Sequence, residues 1–469
     1  MLLAGALAGA GCETVNETLN SDAPRSGTPG YVAGFLGGVV ADEPSAALEA
    51  RQVLSAGGTA ADAAAALGFA LAVTLPSRAG LGGGGACLAY AASRHGPNQG
   101  LPQAVLFVPP PAGAPGGADR PAAVPMLARG LYLLQHTYGN RKFESLLQPA
   151  ETLARNGVTV SRQLARDLAV VAGPLAADPA ARGIFFPQGR PVAEGARLVQ
   201  PALGATLAQL RLAGVGDFYQ GQLGHLFADA AREAGSGLTV EDLRRSLPAL
   251  AAPLTLPAGS DSVAFLPPPA DGGLAAAAAF AVLQHDPAAI QAAGARALAV
   301  AARWRQGGGN PAQILAAPDL PAAGLPSLPA STTFATLDRD GNAVVCALTM
   351  NNLFGTGRIA AGSGVLLAAS PAALPAPLLA AALAYSPRDH AFRAAVGGAG
   401  QDGAALATAV ALRNALADRG PTPQPMPAPV PEPGRANVIE CFRHLPDHPE
   451  SCGWAPDPRG GGLAVGQSR

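Results

Sequence analysis

The segment from Thr332 to Met350 restricts the fold most. Thr332–Leu337 and Ala343–Met350 both read as strands, and between them stands Asp338-Arg-Asp-Gly-Asn342. Asp, Gly and Asn supply the backbone conformations of a tight turn, so the three pieces form a β-hairpin. The chain before it has a different character. Pro44–Ser55 is amphipathic, Thr59–Ala72 is a small-residue helix, and helical spacing runs through Arg129–Tyr138, Phe143–Asn156, Ser161–Val171, Leu203–Ala213, Leu223–Gly235 and Leu274 to about Arg305. After the hairpin come a strand over Gly364–Ala368, a strand over His390–Val396 ended by Gly397 and Gly398, and a helix over Ala404–Ala417. Helices first, then paired strands and a final helix, predict sheets sandwiched between helical layers rather than alternating βα units.

At 469 residues the chain has room for one large intertwined domain or two smaller ones. The formal net charge is −1 and no basic stripe is present, so nucleic acid is excluded as a partner. No internal apolar run is long enough for a membrane-spanning helix. Gly80-Leu-Gly-Gly-Gly-Gly85 lacks the Lys-Ser/Thr ending of a P-loop and precedes the strand Ala86–Tyr90 instead of following one. It reads as close backbone approach at a packed sheet, not as a nucleotide site.

Five cysteines are present. Cys87 and Cys346 lie in apolar surroundings and read as buried thiols. Cys441 and Cys452 are close together in a polar segment and suggest a disulfide. The spacing Cys441-x2-His444-x3-His448-x3-Cys452 also holds metal-ligand residue types, but Pro446 argues against one helix presenting both histidines. No metal and no cofactor are expected. Residues Met1–Gly11 are small and apolar and lead to Cys12, which suggests a signal peptide ending in a lipidated cysteine. That reading places the protein in a bacterial cell envelope, periplasmic and lipid-anchored, with residues 1–30 as leader and linker.

Motif order then adds a family resemblance. Leu54–Ala65, Leu81–Gly85, Val124-Pro125, Leu147–Ala150, Leu153–Gly157, Asp217–Gly221, Leu238–Asp242, Pro267–Gly273, Thr332–Gly357 and Asp457–Arg459 resemble motifs of the γ-glutamyltranspeptidase family and follow in that family's order. The resemblance implies an α+β fold, a four-layer αββα sandwich of the N-terminal-nucleophile hydrolase type. It also implies a precursor that cuts itself into a large-subunit-like region, 31–330, and a small-subunit-like region, 331–469, the latter carrying a Pro-rich linker at 421–433. A hydroxyl is a poor nucleophile at neutral pH, but an N-terminal Ser or Thr has its own α-amine as base, so the cut creates the catalyst.

In the register of the family's motif, Ser331 stands where the nucleophilic Thr normally stands. Thr332 matches the second Thr and is the alternative nucleophile. Thr349 matches a residue that supports the nucleophile, and Asn351 one that contacts substrate. Gly397, Gly398 and Gly400 fall where oxyanion-hole glycines lie, and Gly398 and Gly400 are the catalytic candidates. The glutamate-recognising residues are absent. Val108 replaces the carboxylate-gripping Arg after Phe107, Ala373 stands at the acidic position, and Leu383-Ala384 replaces a serine pair. An Arg fork is what a buried carboxylate prefers, so ordinary γ-glutamyl and glutathione recognition is weakened. The resemblance thus implies an amidase or acyltransferase acting on a small amide or γ-glutamyl-like molecule, with altered acyl recognition. The alternative is an inactive relative with a binding or structural role in the envelope.

Overall fold

The computed structural model describes residues 36–93, 96–113, 118–326, 329–417 and 432–466. Cys12, the leader at 1–30 and nearly all of the Pro-rich linker lie outside the described residues.

Two large antiparallel sheets face each other. The first runs, edge to edge, β13 (Leu463–Gly466), β1 (Gly37–Ala41), β7 (Thr332–Asp338), β8 (Ala343–Thr349), β2 (Gly84–Tyr90), β3 (Gln103–Phe107) and β4 (Ala249–Ala251). The second runs β12 (Cys452–Ala455), β11 (Arg435–Leu445), β10 (Ala391–Ala399), β9 (Ala380–Ser386), β6 (Asp261–Phe265) and β5 (Leu254–Ala258). Strand alternation sorts their side chains into layers. In β2, Ala86, Leu88 and Tyr90 point between the sheets, while Cys87 and Ala89 point to the helices outside. In β9, Ala381, Leu383 and Tyr385 join the inter-sheet core, while Ala380, Ala382 and Ala384 meet the helices Asp271–His285 and Ala404–Ala417. The architecture is therefore helix, sheet, sheet, helix, as expected.

The helix that covers the outer face of the first sheet is built mostly of small residues. The helix Ala60–Thr74 is buried along its whole length, and Thr59 caps it reciprocally with Asp62. The hairpin turn forms as predicted. Asp338 Oδ1 accepts the N–H groups of Asp340 and Asn342, and its Oδ2 accepts from Ala60 N–H and the Asn342 amide. The glycine run also behaves as predicted, since a side chain at Gly82 would meet the Leu366 carbonyl oxygen at 2.0 Å.

Three expectations need correction. Cys87 and Cys346 are not free thiols. They lie directly opposite each other on β2 and β8, with Cα atoms 4.0 Å apart, and form a disulfide. β10 does not end before Gly397 but continues through Gly397 and Gly398 to Ala399, paired on both sides. The stretch between the strands expected over Gly364–Ala368 and His390–Val396 holds a strand of its own, since Ala380–Ser386 is a central strand of the second sheet. Cys441 and Cys452 pair across β11 and β12 as a disulfide, as suggested. His444 instead meets Asp261, and His448 meets Glu450. Among the described residues no helix is long and apolar enough to cross a membrane.

Candidate active site

The Ala330–Ser331 peptide lies where β7 begins, at one end of the space between the sheets. Thr333 faces the second sheet, because a side chain at Gly397 would come within 2.7 Å of its Cβ. Alternation puts Ser331, two residues earlier, on that same side. Ser331 is only 1% exposed, and Pro329 and Ala330 just before it line a cleft of about 690 Å³.

Thr349 ends the neighbouring strand. The register pairs Leu348 with Thr332, which brings Thr349 level with the start of β7. Its hydroxyl donates to the Ala330 carbonyl oxygen at 3.0 Å and accepts the Asn351 N–H at 2.9 Å. The main-chain bond fixes the hydroxyl's lone pair, so its proton points at the carbonyl that a cut before Ser331 would attack. Asn351 has a left-handed backbone, φ 56°, and its side-chain N–H donates to the Ala369 carbonyl at 3.1 Å. Its Oδ1 is buried without a hydrogen-bond partner among the described residues. Ser331, Thr349 and Asn351 are therefore brought together, as their motif positions imply.

The glycines divide. Gly398 lies within β10, opposite Ala380 on one side and Ala436 on the other, so its main-chain groups belong to the ladder. Gly400 stands beyond the strand, with φ 103°, and lines the cleft beside Gln401, φ 54°. A side chain at Gly400 would meet the Pro433 carbonyl oxygen at 2.1 Å. Gly400 and Gln401, rather than Gly398, line the cleft.

Motif reading missed four groups. Asp42, at the end of β1, accepts through Oδ2 from the Thr332 hydroxyl at 2.8 Å and the Thr333 N–H at 3.0 Å. Its Oδ1 accepts from Asn437 Nδ2 at 2.8 Å, and that amide also donates to the Thr333 carbonyl. The Thr332 hydroxyl is therefore committed to Asp42. Arg78 donates to the Ser331 carbonyl at 3.1 Å and holds Asp167 in a bidentate pair at 2.7 and 2.9 Å. Ser77 and Gln163 add hydrogen bonds to the same carboxylate. Burial disfavours the Arg78 charge, but Asp167, with Asp42 nearby, more than offsets it and holds the guanidinium above its ordinary pKa. The one sequence signal for these groups was Ser77-Arg78 standing just before the glycine run. Asp42, Thr333 and Asn437 meet only through the topology.

The positions that would recognise glutamate are filled otherwise. Val108 is half-buried and packs against the inter-sheet core. Ala373 is exposed and lies in a separate shallow pocket with Ala112 and Ser236, not in the cleft. Leu383 and Ala384 are fully buried within β9.

The sequence profile described as "Gamma-glutamyltranspeptidase" matches residues 46–304. The chain is 27% identical over 372 residues to the glutathione hydrolase proenzyme of Escherichia coli, covering 67% of this chain and 63% of that protein. It is 29% identical over 269 residues to the acylase ACY 1 proenzyme of a Pseudomonas species, covering 52% and 46%. The chain thus spans less than two thirds of the length of either relative. Its fold is similar to the crystal structure of cephalosporin acylase from Bacillus halodurans, with a TM-score of 0.71 at 18% identity over 94% of this chain and 98% of that one. With its profile covering more than half of the sequence, the chain belongs to the γ-glutamyltranspeptidase family, as a divergent member.

Proposed function

We propose that this protein is an N-terminal-nucleophile amidase or acyltransferase that cuts itself before Ser331. The observation that carries the reading is the Thr349 hydroxyl on the Ala330 carbonyl, next to the buried Ser331. In the cut, Ser331 Oγ adds to the Ala330 carbonyl carbon, and the Ala330–Ser331 C–N bond breaks to leave an ester and a free amine. Water then splits the ester into an Ala330 carboxylate and the Ser331 hydroxyl. Thr349 stabilises the oxyanion of the first step. The freed Ser331 amine serves as base in later turnovers. An amide donor acylates Ser331 and expels its amine, and water or a second amine takes the acyl group. Gly400 and Gln401 face the cleft where that second oxyanion would form.

The acyl group of this reading is less polar than glutamate. Val108 offers no fork for a carboxylate, and Ala373 offers no counter-charge for an amine. The test compares γ-glutamyl-p-nitroanilide with glutaryl- and butyryl-p-nitroanilide. The reading expects kcat/KM to rise when the amine is removed (glutaryl) and to rise further when the carboxyl is removed as well (butyryl), with no turnover for Ser331→Ala. A preference for the γ-glutamyl compound would reject the altered specificity.

We also read Cys12 as a lipid-anchored residue of an envelope protein. Two disulfides support an oxidising compartment. Cys12→Ser should move the protein from the membrane to the soluble envelope fraction; unchanged fractionation would reject the anchor.

A further inference from the structure

We infer that the Cys87–Cys346 disulfide covalently joins the two sides of the Ala330–Ser331 junction, so that a chain cut there remains one covalent molecule. The inference rests on the processing reading above. It comes from connectivity. β1–β6 precede the junction and β7–β13 follow it, yet the first sheet interleaves the two sets. β7 and β8 lie between β1 on one side and β2 on the other. Cys87 belongs to β2, before the junction, and Cys346 to β8, after it.

The register sets the pair directly opposite, flanked by Leu88 with Val345 and Ala86 with Ala347. Both cysteines are 0% exposed and face the helical layer over the first sheet. A reductant in solution therefore has no access to this bond in the folded protein. The second disulfide cannot do the same work, because Cys441 and Cys452 both follow the junction.

The location gives the bond a purpose. Cutting before Ser331 frees the start of β7, the strand that carries the nucleophile. β7 then depends on its neighbours for position, and β8, which carries Thr349, is one of them. Cys346 fastens β8 to β2, the strand that leads out of the glycine run. The large and small pieces thus keep a fixed register beside the site after the peptide is gone.

The test alkylates the full chain under denaturing conditions with iodoacetamide, with and without prior dithiothreitol. The dithiol ends as its cyclic disulfide, and Cys87 and Cys346 each gain a proton. Gels and intact masses are then compared. The inference expects two pieces after reduction and, without reduction, one species heavier than the uncut chain by one water. Cys87→Ser should give two pieces without reduction, and Cys441→Ser should still give one. Two pieces from the unreduced wild type would overturn the tether while leaving self-cleavage standing. One full-length chain after reduction would instead overturn the processing reading. In that case a specific protease site placed within the mostly exposed residues 318–326 supplies the cut. A cut chain that stays whole until reduced supports the tether, and one that separates unreduced overturns it.

Discussion

Replacing Thr349 by Val keeps the shape of the side chain and removes its hydroxyl. Two bonds disappear, the 3.0 Å donation to the Ala330 carbonyl and the 2.9 Å acceptance from Asn351 N–H. The first acts where negative charge develops as Ser331 attacks. Loss of one such donor slows acyl transfer by about 100- to 1,000-fold, or ~2.7–4 kcal/mol of barrier. The second loss leaves a fully buried N–H unpaired and lowers stability by about 1–3 kcal/mol. Thr349→Ser keeps both bonds and should cut within a few-fold of the wild-type rate. The assay follows pulse-labelled chain from cell-free synthesis on reducing gels, with thermal melts of each variant alongside. If Thr349→Val cuts within about threefold of wild type, the hydroxyl is not part of the self-cleavage machinery. Equal slowing of Thr349→Ser would show that packing, not the donated proton, matters.

Other perturbations test the surroundings. Arg78→Ala strands Asp167, which is 3% exposed, and should destabilise the fold by about 3–5 kcal/mol in urea unfolding, with part recovered by adding Asp167→Ala. Gly397→Ala sets a β-carbon 2.7 Å from Thr333 Cβ and should lower stability by about 1–3 kcal/mol while slowing cleavage, since the clash displaces β7 next to Ser331. Burial pushes the Asp338 carboxyl up to about 6 from its ordinary 3.8, against the opposing hydrogen bonds from Asn342 and Ala60. The folded state then holds the proton more tightly than the unfolded one. This contribution is fully present below about pH 4 and is lost as pH rises through 6, up to ~3 kcal/mol in all. Relative to Asp338→Asn, the wild type should gain stability between about pH 7 and about pH 4 in urea titrations; parallel curves would contradict the assignment.

How much of this was legible depends on how local the signal was. The hairpin at Asp338–Asn342 was readable because one five-residue segment contains its own turn chemistry and flanking strands. Ser331, Thr349 and Asn351 were readable because they sit close to it in a continuous motif. β9 was not, because Ala380–Ala384 has no β-branched residue, and a short apolar run of that kind reads equally as buried helix. Gly397 and Gly398 read as a strand end because glycine weakens strands in isolation. In the fold, glycine at 397 is what lets Thr333 approach. The Cys87–Cys346 bond and the Asp42–Asn437 contact join residues hundreds of positions apart, and only the sheet order brings them together. Val108 was visible in both, as a residue without a guanidinium fork in the motif and as packing against the inter-sheet core in the fold.

The central claim is that the chain cuts itself between Ala330 and Ser331. Intact mass and N-terminal sequencing of the purified, reduced protein test it most directly. A smaller fragment that begins Ser331-Thr332-Thr333 is expected from the wild type, one with the same starting position from Thr332→Ala, and none from Ser331→Ala. An uncut wild-type chain, or a fragment that begins at Thr332, would contradict it.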